Sequence, residues 1–116
     1  VAANNSNSSE GQTLSRGESN SGSYSKVMMM EATAYAGHGI TASGNPTNRN
    51  PNGYSTIAVD PRVIPMYSKV YVEGYGYAIA LDTGGAIQGN RIDLFMNSEA
   101  ECNSWGRRTV KVYIIG

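Results

Sequence analysis

Three aspartates are the residues of this chain best suited to chemistry. Asp60, Asp82 and Asp93 are its only aspartates among nine acidic residues, separated by 22 and then 11 positions. Asp82 closes an apolar run, Tyr77–Leu81, and Asp93 stands inside the next, Arg91–Phe95. Between them lie Gly84, Gly85 and Gly89, which allow a tight return and leave backbone N–H groups unshielded by any Cβ. If the two runs are strands that come back beside each other, two carboxylates meet at one barrel mouth. Like charges at close range raise one pKa, so one Asp keeps its proton near neutral pH and serves as a general acid. The competing reading is that both aspartates only cap Gly-rich turns. Asp60 precedes Pro61, where an Asp either joins the cluster or fixes a turn.

The rest of the composition narrows the chemistry. One Cys excludes an intrachain disulfide framework, and one Cys with one His falls short of the usual zinc ligand set. No metal or cofactor is expected. A Ser-His-Asp triad would rest on His38 alone, a loop residue between Gly37 and Gly39. The formal net charge is zero, so there is no electrostatic footprint for nucleic acid or an acidic membrane surface. No stretch approaches the ~20 apolar residues of a membrane helix.

The elements that must position the aspartates follow from texture. Residues 1–24 are rich in Ser, Asn and Gly and cannot bury enough surface to offset their ordering entropy, so they read as a flexible linker. Residues 25–116 form the expected domain. Val27–Tyr35 reads as a strand and Ala36–Tyr54 as a long polar loop. Short runs rich in Val, Ile and Tyr recur at Thr56–Val59, Lys69–Glu73, Tyr77–Leu81, Arg91–Phe95 and Thr109–Ile115, with turn residues between them. Only Ser98–Ser104 suits a helix, with Ser98 and Glu101 spaced as a capping box. About six strands and one short helix predict an all-β fold, a small closed barrel without exposed sheet edges.

The ordered motifs make a more specific match. Ala32-Thr33-Ala34-Tyr35, Ile57-Ala58-Val59-Asp60-Pro61, Val63-Ile64-Pro65, Val70–Gly76, Ala80–Ile87, Gly89–Asp93 and Trp105–Arg108 together resemble the three-aspartate, or 3D, domain. That domain occurs in stationary-phase survival proteins and other wall-lytic proteins of Gram-positive bacteria. The chain is also similar to the catalytic domain of MltA-type lytic transglycosylases. One departure is Met66-Tyr67, where the family usually carries an aliphatic residue and then a glycine.

The resemblance implies a double-psi β-barrel at the wall outside the cell, acting on peptidoglycan glycan strands. It implies cleavage between N-acetylmuramic acid and N-acetylglucosamine, the muramyl 6-hydroxyl attacking its own C1 to leave a 1,6-anhydro end. On the family's motif Asp93 matches the acid/base and Asp82 its supporting carboxylate, while Asp60 completes the trio. Thr33, Tyr35, Thr41, Gly84, Gly85 and Ala86 are the expected sugar contacts. Apart from the resemblance, the polar N-terminal arm on a barrel suggests a homodimer formed by strand or arm exchange.

Two other readings stand beside it. Ala80-Leu81-Asp82-Thr83-Gly84 is what half of a retroviral-type aspartic protease shows, but no apolar-apolar-Gly segment near the C-terminus supports the loop. Barrels of the expansin type bind wall polysaccharide with little turnover. Among the remaining residues, at least two of Tyr71, Tyr75 and Tyr77 are expected as ordinary strand aromatics, and Trp105 as packing. Cys102 is expected as a small buried hydrophobe and Met28–Met30 as a strand with one core face. Arg91 stands two residues before Asp93, on the same strand face.

Overall fold

The structure, a computed structural model, describes residues 24–115. Apart from Tyr24, the expected linker lies outside these residues. The elements in chain order are β1 (Tyr24–Tyr35), β2 (Ser55–Ala58), β3 (Lys69–Val72), β4 (Gly76–Asp82), β5 (Arg91–Phe95), α1 (Glu99–Trp105) and β6 (Arg108–Ile115). The strands close into a barrel in the order β1-β5-β2-β4-β3-β6. Strand β1 runs parallel to β5 and β2 parallel to β4, while all other neighbours are antiparallel. The expected all-β barrel with one short helix is what the chain forms. Strand β1 begins three residues earlier than its apolar run because β6 pairs with it as far as Tyr24 opposite Ile115.

Alternation explains which side chains fill the barrel. Met30 and Ala32 of β1, Val70 and Val72 of β3, Ala78 and Ala80 of β4, Ile92 and Leu94 of β5, and Val110 and Val112 of β6 all point inward and are buried. Met29, between core-packed Met28 and buried Met30, faces outward. Strand β2 breaks the pattern, since all four of its residues are buried. The loop before it covers its outer face: the Thr56 amide donates to the Asn48 carbonyl at 2.8 Å, and Arg49 Nη1 to Ser55 Oγ at 2.9 Å. Those bonds satisfy polar groups that burial would otherwise leave costly.

Helix α1 is short and capped at both ends. Ser98 Oγ accepts from the Glu101 amide, and Glu101 Oε1 accepts from the Asn97 amide at 2.9 Å, one residue before the N-cap. At the other end Gly106 adopts φ 68° and its amide closes onto the Cys102 carbonyl. Cys102 packs partly buried against the core, and Trp105 is buried with its indole N–H on the Ala32 carbonyl at 3.1 Å.

The departure at Met66-Tyr67 has a backbone consequence. Tyr67 sits at φ 72°, the only non-glycine residue among those described with a positive φ, and its side chain is 61% exposed. Its amide is held on the Ala80 carbonyl at 2.7 Å, so the left-handed conformation is locked by the β4 pairing. An L-residue there pays about 1–2 kcal/mol that glycine avoids, partly offset by glycine's freer unfolded chain. Tyr67→Gly is therefore expected to stabilise the fold by about 1 kcal/mol, a rise of several degrees in melting temperature by calorimetry. An unchanged or lower transition would show that the Tyr67 ring contributes compensating contacts.

Candidate active site

The carboxylates do not meet by direct pairing of their strands. Strands β4 and β5 do not lie side by side; β2 runs between them. The two aspartates nevertheless converge, because both are paired to the same residue. Ala58 of β2 is opposite Asp82 on one side and opposite Asp93 on the other. Cross-strand partners point to one face, so the two carboxylates flank the Ala58 methyl on the outside of the barrel, with backbones roughly 10 Å apart across two strand spacings.

A bulge brings this about. Ile57 pairs with Ala80 but Ala58 pairs with Asp82, a one-residue shift that leaves Leu81 over. Without the shift, strict alternation after Ala78 and Ala80 would aim Asp82 into the core. Bulges re-aim side chains in this way beside functional sites. Ala58 itself was given no role in the sequence, although a larger side chain would fill the space between the carboxylates.

The two carboxyl groups have different surroundings. Asp93 is half-buried, and Thr33 Oγ1, opposite it in the β1–β5 register, donates to Oδ1 at 2.9 Å. Burial pushes the Asp93 pKa up; the Thr33 bond and the nearby Arg91 cation pull it back, and the Asp82 charge adds a smaller push upward. The expected cause, a like charge, is thus present but secondary to desolvation. Asp82 accepts from the Ala42 and Thr83 amides, both at 2.9 Å to Oδ1, and from the Tyr35 hydroxyl in a long 3.5 Å contact to Oδ2. Burial, with the two carboxylates adding to it, holds the Tyr35 phenol far above its ordinary pKa, so it stays a donor.

The Asp93 shift has a consequence for stability. The folded chain binds this proton more tightly than the unfolded chain, so the contribution is full below the unfolded pKa and is lost as pH rises through the folded one. Asp93→Asn removes that loss and retains an acceptor for Thr33. Its melting temperature is expected to exceed wild type at neutral pH, the difference closing as both are acidified below the carboxylate range. A neutral-pH decrease would contradict the burial argument.

Asp60 has a separate environment. It is 4% exposed, and Arg62 Nε and Nη2 grip its two oxygens at 3.0 and 2.8 Å. The Arg62 and Gly89 amides also donate to it. These hydrogen bonds, the Arg62 side chain first, hold its pKa well below the usual carboxylate range. Through Gly89 it anchors the loop that joins Asp82 to Asp93. Arg62 was not singled out in the sequence, although an acceptor Asp before Pro with a donor two positions on is the signature of an Asx turn.

The expected sugar contacts divide. Thr33 and Tyr35 lie on the outer face but donate to Asp93 and Asp82. Thr41 is buried, its hydroxyl engaged with Ser43 Oγ and the Asn45 amide, so it shapes the 41–45 turn that presents the Ala42 amide. Gly84, Gly85 and Ala86 are exposed in a turn closed by the Ile87 amide on the Gly84 carbonyl. A Cβ on Gly84 would lie 3.1 Å from Ile87 Cγ1, a close approach that favours glycine. Arg91 has a buried Nε without a partner among the described residues. His38 is exposed, its ring edge-on to Phe95. Tyr75 is core, with its hydroxyl on the Phe95 carbonyl at 2.6 Å, whereas Tyr71 and Tyr77 pack edge-to-face on the surface. Among the described residues no group of three metal-ligating side chains is found, and no helix is long and apolar enough to cross a membrane.

Comparison with known proteins adds three findings. The profile of the 3D domain matches residues 55–116. The cell wall-binding protein YocH of Bacillus subtilis is 52% identical over 96 residues, 78% of this chain and 33% of that protein. The putative cell wall shaping protein YabE of the same organism is 52% identical over 95 residues, covering 78% and 23%. The chain thus spans a third or less of the length of these relatives. Among solved structures, the E. coli lytic transglycosylase MltA superposes with a TM-score of 0.53 at 24% identity, over 65% of this chain and 26% of that one. MltA with bound chitohexaose gives a TM-score of 0.50 at 23% identity, over 65% and 27%. At that identity the likeness is one of fold.

Proposed function

The chain belongs to the 3D domain family, and from that premise we propose that it is a peptidoglycan lytic transglycosylase acting at the wall outside a Gram-positive cell. The observation that carries the reading is the pair of carboxyl groups flanking Ala58, one with its pKa raised by burial and one held by backbone amides. The names of the Bacillus relatives, which concern wall binding and shaping, support the setting. The fold shared with MltA, which has been seen with bound chitohexaose, supports the substrate class.

In this reading Asp93 supplies the proton. Thr33 occupies Oδ1, so the acid hydrogen is on Oδ2, and it passes to the glycosidic oxygen as the bond to C1 of N-acetylmuramic acid breaks. Positive charge develops at C1, and the Asp82 carboxylate, already fixed by Ala42, Thr83 and Tyr35, stabilises it without having to reorganise. The muramyl 6-hydroxyl then closes on C1 and returns its proton to Asp93. The nucleophile belongs to the substrate, so proximity replaces an activated water. Thr33 and Tyr35 are positioning residues, Asp60 steadies the loop through Gly89, and Gly84–Ala86 offer amides to the sugar.

A second reading is favoured by the name of one relative, a cell wall-binding protein: the barrel binds glycan without turning it over. Sedimentation with purified sacculi separates the two. Release of soluble muropeptides that depends on Asp93 supports the enzyme. Co-sedimentation with nothing released would support the binding module and overturn the transglycosylase.

A further inference from the structure

A cleft of about 470 Å³ opens at the end of the barrel where β4 begins and β5 ends, lined by Arg49, Tyr75, Asn97, Glu101, Trp105 and Arg108 among others. The length of β4, roughly 20 Å, separates its Tyr75 wall from Asp82. The Arg49 guanidinium lies 4.0 Å above the Tyr75 ring, with Nη1 on Ser55 Oγ at 2.9 Å and Nη2 on the Tyr75 carbonyl at 3.2 Å. The Arg108 guanidinium lies 4.0 Å above the Trp105 ring, with Nε and Nη2 on the Trp105 carbonyl at 3.2 and 3.1 Å. The two rings are 6.3 Å apart. Both cations are therefore pinned by stacking and by carbonyls, which removes much of the entropy a free arginine loses on binding.

Among the described residues neither cation has an ion-pair partner: the ion pairs are Arg62 with Asp60 and Arg107 with Glu31. A guanidinium has five N–H donors, and the contacts above leave Arg49 Nε and Arg108 Nη1 unengaged. Two preorganised guanidinium groups, each with one nitrogen left over beside a concave wall, suit a carboxylate. Glu101 adds the opposite charge: Oε1 takes the Asn97 amide, and Oε2 remains for a cation. We propose that this cleft binds a short peptide through its terminal carboxylate at Arg49 and Arg108, with an amine of the peptide on Glu101. The chemistry stands on the cleft alone, while the source of the peptide, a stem of peptidoglycan, rests on the proposed function.

Trp105 is the only tryptophan of the chain and forms one wall, so its fluorescence reads the cleft directly. The probe is Nα-acetyl-Lys-D-Ala-D-Ala, titrated into the full chain to about 10 mM. A saturable change is expected, weakened roughly tenfold or more when the peptide ends in a carboxamide and when Arg108 is replaced in Arg108→Gln. Acetylating the lysine amine should weaken it several-fold. If Arg108→Gln fails to fold, the carboxamide peptide on the wild-type chain makes the same test. No saturation, equal binding of the carboxamide, or tighter binding of glycerol phosphate than of the peptide would overturn the proposal. The Asp93→Asn chain should bind the peptide like wild type. A chain that binds peptide but forms no anhydro product would defeat the proposed function alone; one that forms product without binding peptide would defeat this inference alone.

Discussion

Asp93→Asn is expected to reduce the release of muropeptides from sacculi by roughly 10²–10⁴-fold, the range over which a positioned acid or base acts. Asparagine keeps the shape and an acceptor for Thr33, so the loss isolates the proton. The wild-type pH profile carries the same information. On the proposed mechanism Asp93 starts protonated, and burial raises its pKa. Activity should therefore fall as pH rises through that raised value. Wild-type rates in Asp93→Asn would remove Asp93 from the chemistry.

Asp82→Asn should cost roughly 10²-fold, comparable to deleting one preorganised group from a charged transition state. The asparagine oxygen still accepts from the Ala42 and Thr83 amides, so the loop stays in place and what is lost is charge. A second effect follows from the coupling of the two sites. The Asp82 charge contributes to raising the Asp93 pKa, so its removal should move the basic limb of the activity profile to lower pH. A reduced rate with an unmoved limb would mean that Asp82 acts on the substrate alone. An unchanged rate and limb would mean that the pair is not coupled in catalysis at all.

Much of the scaffold is legible in the residues themselves. Local patterns such as Arg91–Phe95, or Ser98 with Glu101, are short-range, and the elements form where those patterns lie. The three aspartates stand out for the same reason. What is hidden is non-local. The insertion of β2 between β4 and β5 depends on a parallel pairing with one and an antiparallel pairing with the other, whose partners are distant in the chain. The bulge at Leu81 leaves no mark in an otherwise regular run, yet it decides which face Asp82 occupies. Likewise, nothing local to Ala42 shows that its amide will meet a carboxylate 40 residues later. Tyr67 is the opposite case: its departure from the family pattern is visible in the sequence, and the structure supplies the left-handed backbone that explains it.

The Asp-Thr-Gly of residues 82–84 is shared by two unrelated enzyme types, and family membership separates them where the tripeptide does not. The turn here follows a bulged parallel strand and presents its aspartate beside Ala58, opposite a second carboxyl group of the same chain. A homodimer is not needed to bring two acids together.

The most direct test is the mass of what the full chain releases from purified sacculi. The account predicts muropeptides ending in 1,6-anhydro-N-acetylmuramic acid, one water lighter than the hydrolytic product, and their absence with Asp93→Asn. Products bearing ordinary reducing ends, or sacculi bound but left intact, would contradict it.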